Sequence, residues 1–276
     1  MSKVWLITGS GSGLGRHITE AALAKGEHVV ATARNIEQLD DLVKQYGDLI
    51  RVASLDVTVE EAAQEAIQLA LDAFGRLDVL VNNAGYGDIR PFEETSSEDF
   101  KRLMDTCFYG VVYLTRAALP IMRKQRSGHI LNISSVGGRL ATPGSAAYHA
   151  AKWAVGGFTE ALAMETAHFG VKISALEPGG MRTNWVSRAI HTRPQLLPDY
   201  EASVGALLNM MDGLQGNEKG DPVKVAEVVL QLAYADELPA HLPLGKDALQ
   251  GVELADKQRA ADAERWHAVS ISTEYE

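Results

Sequence analysis

A short apolar segment that leads directly into a cluster of glycines constrains the fold of this chain more than any other feature. Residues 3–8 (KVWLIT) have the pattern of a buried strand, residues 9–15 (GSGSGLG) form a turn, and residues 16–25 favour a helix that Gly26 ends. Such a turn lets the backbone approach a diphosphate, which the positive end of the following helix stabilises. A glycine turn alone is weak evidence, but its place after the first strand favours nucleotide binding.

The rest of the chain continues this alternation of strand and helix. With 276 residues, 46% of them hydrophobic, and no linker or low-complexity run, the sequence predicts a single-domain Rossmann fold of class α/β. We expect a doubly wound parallel sheet of about seven strands with helices on both faces. Further strands are predicted at 28–33, 50–55, 77–81, 130–133, 172–176 and 241–244, and helices at 36–46, 60–74, 97–125, from Ser145 onward, 222–235 and 246–267.

The segment 134–152 brings a hydroxyl, a phenol and an amine within reach of one another. Ser135 follows the strand at 130–133, and parallel sheets place their chemistry at the carboxyl ends of their strands. Tyr148 and Lys152 are four residues apart on a helix for which Ser145 is the expected N-cap, so they share a face. We expect the Lys152 ammonium to lower the pKa of the phenol towards neutrality. An isolated pair with this spacing is more often an ordinary helix-surface pair.

The motifs together resemble those of the short-chain dehydrogenase/reductase family over residues 3–245. Thr8, Gly9, Gly13 and Gly15 form TGxxxGxG, residues 82–85 read NNAG, and a Ser thirteen residues before the Tyr and a Lys four after it complete the pattern. The resemblance implies that Ser135 binds a carbonyl oxygen, that Tyr148 is the general acid/base, and that Lys152 holds the nicotinamide ribose. It implies the following cofactor-binding residues: Thr8, Gly9, Ser10, Gly13, Leu14, Gly15, Arg34, Asp56, Val57, Asn83, Ala84, Gly85, Tyr148, Lys152, Pro178, Gly179 and Thr183.

The residues after the second strand indicate which dinucleotide is bound. NAD-specific Rossmann proteins place a carboxylate about twenty residues after the glycine turn, and this chain has Arg34 there. The resemblance to NADP-preferring members implies that Arg34, aided by Ser10, binds a 2′-phosphate. The alternative is that Arg34 only solvates the start of the next helix. Asp56 accepts a bond from the adenine amino group in the family, or it caps the helix that follows.

Two segments near the carboxyl end complete the expected site. Pro178, Gly179 and Thr183 resemble the family's PGxxxT segment around the nicotinamide amide, although Pro and Gly are also ordinary turn residues. The aromatic and Met-bearing segment at about 184–220 is predicted to be a substrate lid, which favours a medium or bulky apolar substrate. Residues 246–276 are expected to form a polar helix and a loose tail.

Cys107 departs from the family pattern. Close relatives have Asn at this position, as the fourth catalytic member, where it holds a water that links the lysine to solvent. A thiol is a much weaker hydrogen-bonding group than a carboxamide, so the proton relay is slowed or rerouted through the backbone carbonyl. The alternative is that Cys107 only fills the core on an apolar helix face.

These residues predict an NADP(H)-dependent oxidoreductase, a carbonyl reductase or ketoreductase, that interconverts a ketone or aldehyde and an alcohol by hydride transfer. A catalytically weakened NADP-binding sensor or scaffold is one alternative. An epimerase or dehydratase on a related scaffold is another, which the NNAG segment and the glycine spacing disfavour. In the family, helices such as 97–125 and the one after Tyr148 commonly pair subunits, so a homodimer or homotetramer is expected.

Composition limits the partners. A formal net charge of −10 and a pI near 5.3 disfavour nucleic acid and anionic membranes, which leaves a small-molecule carbonyl or alcohol substrate. A single cysteine and the lack of a visible signal peptide or membrane span favour the cytoplasm. His129, His149 and His168 are too scattered to predict a metal, and each is interpreted as a structural or surface residue.

Overall fold

Seven parallel strands form one sheet in the computed structural model, which describes residues 2–190 and 195–275. The strands run in the order β3-β2-β1-β4-β5-β6-β7, and this confirms the predicted α/β fold with a seven-stranded parallel sheet. Their bounds are β1 Val4–Ile7, β2 His28–Ala33, β3 Ile50–Ser54, β4 Val79–Asn82, β5 Gly128–Ile133, β6 Val171–Pro178 and β7 His241–Leu244.

Helices cover both faces of the sheet because the strands are apolar on both sides. Their bounds are α1 Gly13–Ala24, α2 Asp40–Tyr46, α3 Glu60–Phe74, α4 Ser97–Met104, α5 Gly110–Gln125, α6 Ala146–Thr166, α7 Trp185–Ala189, α8 Ala206–Leu214, α9 Pro222–Leu232, α10 Lys246–Arg265 and α11 His267–Ile271. Trp5 and Ile7 pack with α1 and α9 on one face, whereas Val4 and Leu6 pack with α3 and α5 on the other. This alternation along β1 is typical of a strand buried on both sides.

A chain of buried side-chain hydrogen bonds crosses the centre of the sheet. Asn82 of β4 donates to Asn132 of β5 at 2.8 Å and to Thr115 of α5 at 3.2 Å. Asn132 in turn donates to Thr159 of α6 at 2.9 Å. Because Asn82 and Asn132 are paired residues of neighbouring strands, these bonds hold the register of β4 and β5 and tie both strands to α5 and α6, which pack on the same face of the sheet.

The helix predicted over 97–125 is not one continuous α-helix. A π turn at Asp105–Tyr109 separates α4 from α5, and Cys107 lies within it. Gly110 follows the turn and packs so closely on Val57 that an added Cβ would lie 2.8 Å from its Cγ2. The apolar spacing on which the prediction rested does not distinguish an α turn from a π turn, because one extra residue changes only the local phase.

The carboxyl-terminal third differs from the prediction in one element. The described part of the segment 184–220 contains α7 and α8 and no strand, as expected, and residues 191–194 of this segment lie outside the described residues. The tail after α10 was expected to be loose, but it begins with the short helix α11. No helix in the described part of the chain is long and apolar enough to cross a membrane.

Candidate active site

The predicted site residues converge at one edge of the sheet, where the central strands end. Thr8 follows β1, Asn83 follows β4, Ser135 follows β5 by two residues, and Pro178 ends β6. The strand order reverses between β1 and β4, which is the switch point at which open parallel sheets bind ligands. The topology therefore brings together the ends of four strands that the sequence separates by as many as 170 residues.

The glycine turn is held against the neighbouring strand by Thr8 and Asn83. The Thr8 hydroxyl accepts from the backbone amides of Asn83 and Ala84, both at 2.9 Å, and the Asn83 carboxamide donates to the Thr8 carbonyl at 2.8 Å. Gly9 has φ +69, and a Cβ there would lie 3.0 Å from the Asn83 side chain. A Cβ at Gly15 would clash with the same side chain and with the Gly9 carbonyl. Only glycine fits at these two positions.

Ser10 does not face outward as the NADP prediction requires. Its side chain is fully buried, donates to the Ile7 carbonyl at 2.9 Å and accepts from Thr19 at 3.0 Å. Both bonds hold the hydroxyl inside the turn. The expectation that Ser10 helps to bind a 2′-phosphate is therefore wrong. Ser10 instead stabilises the turn through its bonds to Ile7 and Thr19.

Arg34 and Asp56 lie at the ends of the neighbouring strands β2 and β3 and are both exposed. The guanidinium of Arg34 has no hydrogen bond or ion pair with another residue of the described chain. Asp56 accepts from the amide and hydroxyl of Thr58, at 3.0 and 2.8 Å, just before α3. The Thr58 amide lowers the pKa of Asp56, and the charge of Arg34 lowers it further. Asp56 thus forms a local turn before α3 but does not cap that helix, which begins after Val59 without a side-chain cap.

Ser135, Tyr148 and Lys152 are brought together, and the last two are almost fully buried. Tyr148 is 9% exposed and Lys152 is 5% exposed. The Ser135 hydroxyl acts to lower the pKa of the phenol, and the Ser135 oxygen accepts from the Gly137 amide at 3.0 Å. The Lys152 amine donates to the Ile133 carbonyl at 2.8 Å and lies 5.8 Å from the centre of the tyrosine ring. Ser145 stands at the N-cap of α6, but its side chain caps no backbone amide.

Burial reverses the expected shift of the tyrosine. It raises the pKa of Tyr148 above its usual value, and the Ser135 hydroxyl only partly opposes this. Burial also lowers the pKa of Lys152. The expectation that Lys152 brings the phenol towards neutrality fails here because the amine is directed to the Ile133 carbonyl, and because desolvation disfavours charge on both groups.

Cys107 lies beside the lysine, where the family pattern places an asparagine. Its side chain is fully buried, and its thiol donates to the Tyr86 carbonyl at 3.4 Å. A Cβ at Gly85 would lie 3.4 Å from the thiol sulfur and 3.7 Å from the Lys152 nitrogen. Cys107 and Lys152 therefore flank the same glycine, so Cys107 is a neighbour of the reacting groups as well as a core residue.

His149 is a positioning residue whose partners the sequence did not reveal. The Thr142 amide donates to His149 Nε2 at 2.9 Å, so the proton of a neutral ring is on Nδ1, which donates to the Gly137 carbonyl at 2.7 Å. The ring thus joins both ends of the loop between Ser135 and Tyr148. Its place next to Tyr148 was the only available signal, because both partners come from tertiary structure.

The segment after β6 closes the site from the other side. Gly179 donates to the Leu244 carbonyl at 3.0 Å and leaves no room for a Cβ beside Asp247. The Thr183 hydroxyl accepts from the Trp185 amide at 3.2 Å at the start of α7. The indole of Trp185 then lies 5.4 Å from the Tyr148 ring, centre to centre. Trp185 therefore forms an apolar wall beside the phenol.

These features fit a dinucleotide cofactor. The glycines of the turn, Gly9 and Gly15, leave no Cβ between the backbone and the amino end of α1, and Arg34 offers a guanidinium without a partner among the described residues at the end of β2. Among residues 2–190 and 195–275, no group of three or more His, Cys, Asp or Glu side chains could hold a metal ion.

The comparisons with known proteins agree on one family. The short chain dehydrogenase family profile matches residues 3–194. The oxidoreductase BOA17 of Botryotinia fuckeliana (strain B05.10) is 42% identical over 274 residues, which cover 99% of this chain and 100% of that protein.

Solved structures give the same result. A short-chain dehydrogenase from Streptomyces avermitilis has a TM-score of 0.91 and 38% identity, with 100% of both chains covered. ElxO with NADP bound has a TM-score of 0.76 and 32% identity, and covers 91% of this chain and 100% of its own. A short chain dehydrogenase/reductase from Burkholderia phymatum in complex with NAD has a TM-score of 0.82 and 27% identity, with 95% of both chains covered.

The hydrogen bonds of His149 generate a prediction about the loop that they span. We expect His149→Leu to lower the free energy of unfolding by about 1–3 kcal/mol, because it leaves the part-buried Thr142 amide and the buried Gly137 carbonyl without partners. Hydrogen exchange of residues 137–142 should become faster. His267→Leu, at an exposed position, is the matched control, and unchanged exchange in the His149 variant would contradict the positioning role.

Proposed function

The chain belongs to the short-chain dehydrogenase family, and from this membership and the geometry of its site we propose that it is an NADP(H)-dependent oxidoreductase that interconverts a ketone or aldehyde and an alcohol. One observation carries the proposal most directly. The buried phenol of Tyr148, beside Ser135 and Lys152, lies at the sheet edge that also carries the glycine turn.

The proposed mechanism uses each side chain for one task. A nicotinamide cofactor, when bound, supplies the hydride for reduction of the carbonyl or accepts it in oxidation of the alcohol. Ser135 donates a hydrogen bond to the carbonyl oxygen of the substrate, and Tyr148 gives its proton to the same oxygen. Lys152 holds the nicotinamide ribose. Burial raises the pKa of the phenol, so the proton that a carbonyl reduction needs is present at neutral pH.

The wall of the pocket supports an apolar substrate of medium or large size. Tyr148 packs in a cluster with Leu103 and Ala147, and Trp185 covers it from α7. Gly87 leaves room for the indole, which occupies the space that a Cβ would need. We propose that the described part of the segment 184–220 contributes to a lid over this pocket, with Trp185 as its contact to substrate.

Arg34 supports the choice of NADP(H) over NAD(H). Relatives with either cofactor bound share this fold, so the family alone does not decide between them. In this chain the end of β2 offers a free guanidinium and no carboxylate for the ribose hydroxyls. We propose that Arg34 binds the 2′-phosphate without the help of Ser10.

Exposed apolar side chains support an assembly of subunits. Tyr109 and Trp153 are 43% and 44% exposed on the helical segments that follow Cys107 and Tyr148, and Met164 is 74% exposed on α6. We propose that these helices pair two copies of the chain, as they do in the family.

The role of Tyr148 predicts a selective loss of activity. We expect Tyr148→Phe to reduce the rate of NADPH-dependent ketone reduction at least about a hundredfold, because the transferable proton is removed while the glycine turn stays intact. Cofactor affinity, measured by NADPH fluorescence, should change little, whereas Lys152→Ala should impair both. Tyr275→Phe is the control at an exposed position outside the proposed site and subunit contact. Retention of more than about a tenth of the wild-type rate would rule out Tyr148 as the acid.

The role of Arg34 predicts a change in cofactor preference. We expect Arg34→Ala to weaken NADPH binding about tenfold or more, because a hydrogen bond to a charged group contributes about 1.5–3 kcal/mol, and to leave NADH binding nearly unchanged. Fluorescence titrations with both cofactors measure the two affinities, and Arg265→Ala on α10 is the control. Equal weakening of both would mean that Arg34 is structural.

The presence of Cys107 in place of the family's fourth catalytic residue, an asparagine, leads to a prediction about turnover. We expect Cys107→Asn to keep or raise turnover without changing cofactor affinity, because a carboxamide can replace the thiol as donor to the Tyr86 carbonyl and is the better hydrogen-bonding group. Steady-state rates across pH, with thermal unfolding as the check on folding, measure this. A folded Asn variant more than tenfold slower would show that the thiol itself is required. If the wild type binds NADPH but reduces no ketone while the variant does, the chain is a weakened NADP-binding sensor.

A further inference from the structure

A guanidinium from the lid side contacts the glycine turn. Arg188 of α7 donates to the Ser12 hydroxyl at 3.0 Å, although the two residues are 176 positions apart. Ser12 directly precedes α1, and its hydroxyl caps none of the first amides of that helix. The contact therefore places a cation at the amino end of α1, beside backbone that the proposed function assigns to a diphosphate.

The charge of Arg188 has no carboxylate partner within the described residues. Arg188 lines a cleft of about 190 Å³ together with Tyr86, Gly87, Asp88, Arg90, Asp99, Arg102 and Leu103. The other two arginines of this cleft are paired, because Arg90 contacts Asp88 at 2.7 Å and Arg102 contacts Asp99. Arg188 contacts only a neutral hydroxyl, which binds a cation less strongly than a charged oxygen does.

Packing fixes the base of Arg188 in this place. Val186 and Ala189 of α7 are buried, at 7% and 4% exposed, and pack below the exposed arginine. Trp185, at the start of the helix, is wedged between Gly87 and the Tyr148 ring. Because α7 is anchored on both sides, little ordering of the backbone is needed to keep the guanidinium at the turn.

We propose that Arg188 is a ligand of the cofactor's diphosphate at the amino end of α1. The inference rests on the proposed function, because it assumes that a dinucleotide occupies the site. Phosphate oxygens are charged acceptors whose geometry suits the two parallel N–H groups of a guanidinium, so they replace the Ser12 hydroxyl as its partner. The same residue then links cofactor binding to α7, whose Trp185 borders the substrate pocket.

The inference separates the two arginines of the cofactor site by what each one recognises. Arg34 contacts the 2′-phosphate, which only NADP(H) carries, whereas Arg188 contacts the diphosphate, which NADP(H) and NAD(H) share. We therefore expect Arg188→Ala to weaken NADPH and NADH binding by similar factors of about ten, and Arg188→Lys to recover part of this loss because it keeps the charge without the fork.

Binding titrations of the full chain test this without any assay of turnover. NADPH and NADH affinities are measured by fluorescence for the wild type, Arg188→Ala, Arg188→Lys and Arg34→Ala. Adenosine 2′-monophosphate, which has the 2′-phosphate and no diphosphate, is titrated as a competitor. Arg188→Ala should leave the affinity for this fragment unchanged, while Arg34→Ala should reduce it.

The outcomes distinguish this inference from the proposed function. A wild type that binds neither dinucleotide would overturn both. A wild type that binds NADPH, with an Arg188→Ala variant of unchanged affinity for both dinucleotides, would overturn the role of Arg188 alone. If Arg188→Ala weakened the binding of adenosine 2′-monophosphate as much as that of the dinucleotides, the role of Arg188 would also be overturned. Arg188 would then support the fold of the site and would not bind the diphosphate.

Discussion

The hydroxyl of Thr8 is the contact on which the arrangement of the site depends. It accepts hydrogen bonds from the backbone amides of Asn83 and Ala84, and so joins the end of β1 to the end of β4 where the two halves of the sheet meet. Together with the bond from the Asn83 carboxamide to the Thr8 carbonyl, it fixes the distance between the glycine turn and the NNAG segment, whose Gly85 lies between Cys107 and Lys152. One small side chain thereby relates the expected cofactor site to the expected catalytic site.

Burial is the second constraint on the site, and it acts on both of its ionisable groups. Tyr148 and Lys152 are shielded from water, so charge on either is costly, and each is held by neutral partners, the Ser135 hydroxyl and the Ile133 carbonyl. A pocket of this kind protects a proton until a substrate oxygen comes within reach. His149 supports this arrangement. It donates to the Gly137 carbonyl, and the Gly137 amide donates to the Ser135 hydroxyl and so orients it.

The sequence was a good guide wherever a local pattern determines the structure. The strands His28–Ala33 and His241–Leu244 and the helix Glu60–Phe74 have the predicted bounds, because the apolar period and the flanking glycines are local signals. The direction in which Ser10 points, the partner of Lys152 and the tyrosine pKa could not be predicted. Each depends on residues that are distant in sequence, such as Thr19 for Ser10 and Ile133 for Lys152. His149 is the structural residue that the sequence suggested, but its partners Thr142 and Gly137 could not be predicted for the same reason.

The π turn at Asp105–Tyr109 has a consequence for how this chain tolerates changes in length. The turn contains one residue more than an α turn, and each residue of an α-helix advances the chain by about 100° around its axis. On one side of it Leu103 packs against Tyr148, and on the other Leu114 packs into the core under the sheet. Because the extra residue is accommodated within the turn, deleting one residue there would leave an α turn and keep Leu103 and Leu114 on their present faces. Deleting a residue from α4 or α5 would instead rotate one of these faces by about 100° away from its neighbours.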